Sequence, residues 1–230
     1  MNPRRTHKIK WPIQKNVRST KLILEKSYFI NQKNYMREDM EYPESLNNTI
    51  PGTLHFYPDQ ATLLLDIDNK FIDQESKKNE AEQLGLMRKN DFHLTIIGND
   101  TGKKILTLTA SLNEKERENI LDKIYTLAES IQWKVRLEDA FFYIQKEYIT
   151  PDQSSPDANN NEKRESIIQT AGFEGIDEFY QKFNIVLGTE FETPWPHITH
   201  YTTSTREDKK TRGIGIYSQK QFEELHPQTI

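Results

Sequence analysis

The chain has 230 residues, no cysteine, and 31 Lys plus Arg against 35 Asp plus Glu. That length can bury a sizeable core, either as one large α+β domain or as two small lobes. Without cysteine, disulfides, thiolate nucleophiles and zinc–thiolate sites are excluded, so any metal would need His, Asp or Glu.

The first 24 residues carry Arg4, Arg5, Lys8, Lys10, Lys15, Arg18 and Lys21 and no acid, so every acid falls in residues 25–230. Such an arm can neutralise phosphates, act as a targeting sequence, or be a solvated tail. No apolar run reaches the roughly 20 residues of a membrane span, and the N-terminus lacks the apolar stretch of a secretory signal. A soluble, cytoplasmic protein is the expectation.

GTLHFYP (52–58) and ATLLLDID (61–68) are β-rich runs around Pro58-Asp59-Gln60 and predict a hairpin. Residues 73–89, rich in Glu, Lys, Ala and Leu, predict a helix with Gly85 as its weak point. FHLTIIG (92–98) predicts a strand closing at the Asn99-Asp100-Thr101-Gly102 turn, with KILTLT (104–109) as its partner strand. A helix follows, with Ser111 and Glu114 as a capping box and Ile120, Leu121, Ile124, Leu127, Ala128 and Ile131 at helical spacing.

WKVRLE (133–138) and AFFYIQKEYI (140–149) predict two strands, and residues 150–163, rich in Pro, Asn, Ser and Asp, predict a surface loop. Ile176, Phe179, Tyr180, Phe183 and Leu187 mark a second amphipathic helix, stopped by Gly188. PHITHYT (196–202) predicts a strand. The charged loop TREDKKTRG, a short strand GIGIY (213–217), and a helix from Ser218 with Gln221 completing a capping box close the chain.

Each half therefore runs from strand to helix to a strand bearing His-x-Thr: HLT at 93–95 and HIT at 197–199. No tandem period accompanies the rhyme. Side chains alternate faces on a strand, so His93 and Thr95 share a side, as do His197 and Thr199. If the two strands face one another, two imidazoles and two hydroxyls surround one space. One neutral histidine can take a proton from the attacking oxygen and the other, protonated, can give one to the leaving oxygen. Threonine hydroxyls can donate to the non-bridging oxygens of a phosphate.

These paired motifs resemble those of the two-histidine phosphoesterase superfamily, which includes bacterial RNA-ligase-like proteins and cyclic phosphodiesterases. The resemblance covers His93, Thr95, His197 and Thr199 alone. It implies a bilobal α+β domain over residues 25–230, with two antiparallel sheets flanked by helices around a central cleft. It also implies hydrolysis, without metal or other cofactor, of a cyclic or 2′-linked phosphodiester in a nucleotide or RNA end. The alternatives are a non-catalytic RNA- or nucleotide-binding module using the same cleft and the basic arm, and an interaction scaffold whose histidines lie in the core.

Tyr201 falls on the same face as His197 and Thr199 and is the substrate-binding candidate. His200 falls on the opposite side, which makes it structural and argues against a metal shared with His197. His55 and His226 stand without a motif. Trp195, Tyr143 and Tyr217 are further aromatic candidates for a nucleotide pocket, although core packing is the commoner fate of such residues.

Overall fold

A computed structural model describes residues 49–148 and 162–230, all within one compact unit that spans Asn47–Ile230. The basic arm at 1–24 and residues 150–161 of the predicted loop lie outside the described residues. Among the described residues no helix is long and apolar enough to cross a membrane.

The architecture is α+β, with two antiparallel sheets and accompanying helices. The first sheet has the order β1-β2-β4, from Gly52–Tyr57, Thr62–Ile67 and Phe92–Ile97. The predicted hairpin is present, and Pro58–Gln60 form one turn of 3-10 helix between its strands. In β2, Leu63, Leu65 and Ile67 are buried while Leu64 and Asp66 are half-exposed, and in β4 Phe92 and Leu94 are buried while His93 and Thr95 are half-exposed. One face of this sheet is thus core, and the other is left for polar side chains.

The second sheet has the order β3-β7-β6-β5-β8, from Met87–Arg88, His197–Ser204, Glu162–Glu174, Lys134–Tyr148 and Gln228–Thr229. The two strands predicted at 133–138 and 140–149 are one long strand with an irregularity between Leu137 and Phe141. Residues 162 and 163 of the predicted loop open β6. The predicted helix at 73–89 shrinks to α1, Lys78–Gln83, because Gly85 turns the chain with φ +67° and Met87–Arg88 pair with β7.

The largest correction concerns KILTLT. It is no strand but the body of α2, Asn99–Thr109. Its β-branched residues mimic a strand, yet Thr101, Ile105 and Thr109 are buried at a spacing of four, which is the helical period. Thr107 and Thr109 turn their hydroxyls back onto the carbonyls of Lys103 and Ile105, so those polar groups need no other partner. Gly102 lets α2 press on the hairpin turn: a Cβ there would lie 2.2 Å from the Gln60 carbonyl oxygen.

Helix α3, Glu114–Ser130, starts two residues later than expected. Its capping box is Asn113 with Glu116, since Ala110 to Leu112 are still closing the end of α2. Helix α4, Ile176–Leu187, ends as predicted at Gly188, whose φ of +64° suits a residue without Cβ. The main core lies between the first sheet and α3 and α4, where Leu63, Leu94, Ile124, Phe179 and Phe183 are fully buried. Each such side chain contributes about 1.5–3 kcal/mol relative to exposure.

GIGIY is an irregular segment rather than a strand. It leads into α5, Gln219–Glu224, where the Ser218 hydroxyl accepts from the Gln221 N–H. The Gln221 side chain accepts from the Tyr217 N–H, one residue before the cap, so the cap also holds Tyr217 in place.

Candidate active site

Strands β4 and β7 belong to different sheets, yet their His-x-Thr faces meet. His93, Thr95, His197 and Thr199 all line one cavity of about 590 Å³. Strand β3 joins the sheets: it pairs with β7, the Lys89 N–H donates to the His200 carbonyl, and the chain then turns directly into β4. Each histidine thus shares a face with its threonine, and the packing of the sheets supplies the encounter between the two motifs.

Both strands break their regular pairing at the same point. On β4, Thr95 lies opposite Leu64 and Ile97 opposite Leu63, so Ile96 is an extra residue. On β7, Thr199 lies opposite Ile168 and Tyr201 opposite Ile167, so His200 is extra. A β-bulge thus follows each His-x-Thr immediately, a likeness between the halves that no residue identity reveals.

The bulge corrects the placement of Tyr201. One extra residue reverses the alternation, and Tyr201 turns away from Thr199 into a second core cluster with Ala81, Leu86, Phe141 and Ile167. Its hydroxyl donates to the Ser76 carbonyl, and it is absent from the cavity wall. Tyr143 packs in that cluster too, and Trp195 stacks on Phe222 at 4.8 Å. Of the aromatic candidates, Tyr217 lines the cavity.

His197 is almost fully buried, and its Nδ1 lies 2.8 Å from the Trp195 carbonyl oxygen. A carbonyl only accepts, so Nδ1 holds the proton and the neutral ring keeps its lone pair on Nε2. Burial pushes its pKa below the ordinary imidazole value. The charge of His93 adds to this, while hydrogen bonding to the backbone at Trp195 and Ile214 opposes it.

His93 is also pushed down, first by burial and then by Lys89, against the pull of Asp91 and Asp66. Its Nδ1 lies 3.9 Å from the Asp91 carboxylate. Asp66 stands directly across the β2–β4 ladder from His93 and accepts from His55 Nδ1 at 2.6 Å. His55, which has no motif in the sequence, thus belongs to a polar row leading to the site. In the hairpin register His55 lies opposite Leu64 and reaches Asp66 on the diagonal, a contact that depends on the folded ladder.

Thr95 and Thr199, like Thr62 on the same wall, contrast with Thr109 and Thr202. The Thr109 and Thr202 hydroxyls are spent on carbonyls of their own structure, whereas among the described residues those of Thr95 and Thr199 make no hydrogen bond. Thr199 Oγ1 packs against Gly213, where a Cβ would lie 3.1 Å away. The glycines of GIGIY therefore serve the cavity wall, and the segment is anchored there by Thr202 Oγ1 on the Arg212 carbonyl.

His200 is fully buried between Phe92 and Phe141 and donates from Nε2 to Gln169 Oε1. Burial lowers its pKa to about 4. It is a structural residue facing away from His197, as its alternation predicted. Among the described residues no cluster of three or more His, Asp or Glu is placed to hold a metal ion.

No protein-family model, curated protein or solved structure matches the chain.

Proposed function

We propose that the chain is a phosphodiesterase of the two-histidine type, hydrolysing a cyclic or 2′-linked phosphodiester in a nucleotide or RNA end without a metal. The observation that carries this reading is the convergence of two bulged His-x-Thr strands, from separate sheets, on one cavity with both threonine hydroxyls unspent. On this reading the described residues form the bilobal domain of that superfamily, with one His-x-Thr strand from each lobe.

The asymmetry of the two rings supports an order of events. His197, buried with its lone pair on Nε2 and with no carboxylate among the described residues acting on it, suits the base. His93, with Asp91 and Asp66 favouring its charged form, suits the acid. His197 takes the proton of the attacking water, whose oxygen bonds to phosphorus. The bond from phosphorus to the leaving oxygen breaks, and His93 gives that oxygen a proton. Thr95 and Thr199 donate to the non-bridging oxygens as their charge grows.

The test is hydrolysis of a panel of 2′,3′-cyclic mononucleotides, a 2′-5′ dinucleotide and cyclic dinucleotides, in EDTA. Turnover is expected in the wild type and a loss of about 10² to 10⁴ in His93→Ala and in His197→Ala. Full activity in either variant, or activity only with added metal, overturns the mechanism. Binding of these ligands without turnover would make the chain a binding module.

A further inference from the structure

The cavity wall changes character along β6 and β7. Arg164 lies opposite Ser204, five residues beyond Thr199, which is about 15 Å along the strand. Its side chain nevertheless lines the same cavity, and the residue is 5% exposed. Nε donates to the Glu162 carboxylate, and Nη1 donates to the Gly213 carbonyl at 3.2 Å. The guanidinium also lies over the ring of Tyr148, 4.3 Å from its centre.

A guanidinium has five N–H donors in a rigid fork. Two directions are spent on holding it, and among the described residues Nη2 has no hydrogen-bond partner. Stability does not account for such an arrangement, because a buried Arg–Glu pair is commonly matched or exceeded by apolar residues of the same volume. Beside it, Arg212 is exposed on the cavity wall and makes no ion pair among the described residues. Outside the cavity wall, Lys146 Nζ lies 5.2 Å from the centre of the Tyr148 ring, and Glu162 and Asp100 are the acids acting on that tyrosine.

Gly213 sets the spacing. Thr199 packs against this residue, and Arg164 holds its carbonyl oxygen, so one glycine touches both donors. Phosphates bound at Thr199 and at Arg164 would be separated by about the span of one nucleotide. We propose that Arg164 and Arg212 form a second phosphate subsite, so that the substrate carries a phosphate besides the one attacked. This rests on the two-histidine reading for the scissile phosphate. The second phosphate comes either from the 5′ position of the same nucleotide or from the neighbouring linkage of an oligonucleotide.

Titration calorimetry at about 0.1 M salt with three probes that are not substrates for diester hydrolysis at their terminal phosphate decides it. These are adenosine 2′-monophosphate, adenosine 2′,5′-bisphosphate, and a deoxydinucleotide ending in a 3′-phosphate with no 5′-phosphate. At least one of the latter two should bind about tenfold more tightly than the monophosphate, as charge-assisted hydrogen bonds to a second phosphate require. A gain with the bisphosphate alone identifies a 5′-phosphate, and a gain with the dinucleotide alone identifies the neighbouring linkage. Arg212→Ala, at an exposed position, should bring the favoured probe to the affinity of the monophosphate.

Equal affinity of all three probes for the wild type overturns the subsite and leaves the two-histidine reading standing. So does an Arg212→Ala variant that weakens all three alike. Failure of every probe to bind, together with no turnover on the diester panel, overturns both.

Discussion

At the scale of single residues, the two histidines carry opposite surroundings on one chemistry. Both imidazoles sit below the ordinary value near 6.5, so a bell-shaped profile of kcat/KM should be centred on the acid side of that value. The groups facing His93 are Lys89, Asp91, Asp66 and His197, and they predict an order of effects. Asp91→Asn should lower the His93 pKa more than Asp66→Asn does, and Lys89→Ala should raise it. Proton NMR titration of the His93 ring reads these shifts without any need for turnover. An unchanged His93 in all three variants would remove the polar row from the account of the site.

At the scale of elements, the bulges and one glycine determine where the site residues point. A run of alternating residues announces a strand, but whether a residue is skipped in the ladder depends on the partner strand. Alternation along each strand therefore suffices to put His93 beside Thr95 and His197 beside Thr199, whereas the direction of Tyr201, beyond the bulge, depends on the partner strand. Helix α2 shows the same limit. Thr and Ile in KILTLT favour a strand locally, and burial of Thr101, Ile105 and Thr109 against the hairpin overrides that preference. Gly102→Ala should therefore destabilise the fold by about 1–3 kcal/mol, because the clash with the Gln60 carbonyl outweighs any gain in helix propensity. A urea midpoint equal to that of the wild type would mean that α2 can move off the hairpin freely.

For the whole molecule, the buried histidines couple stability to pH. His200 titrates near 6.5 when unfolded and at about 4 when folded, so between these values the unfolded chain binds the extra proton. Stability should be fully present above about pH 6.5 and fall as the pH drops toward 4, by roughly 3 kcal/mol from this residue. His93 and His197, also lowered, act in the same direction. His200→Gln can still donate to Gln169 and has no proton to gain, so urea unfolding across pH 7 to 4 should show a shallower loss. An equal slope in that variant would assign the acid sensitivity elsewhere.

Local pattern was enough for features that depend on neighbours along the chain. It placed β1, β2 and β4, the amphipathic faces of α3 and α4, the Gly188 stop, and the shared side of each histidine with its threonine. Side-chain period and cap chemistry act over a few residues and leave their mark in the letters. The meeting of β4 with β7, the inversion of Tyr201, the row from His55 to His93 and the turn of Arg164 into the cavity depend on partners far away in sequence. They rest on sheet register and on the packing of one sheet against the other, which only the folded chain supplies.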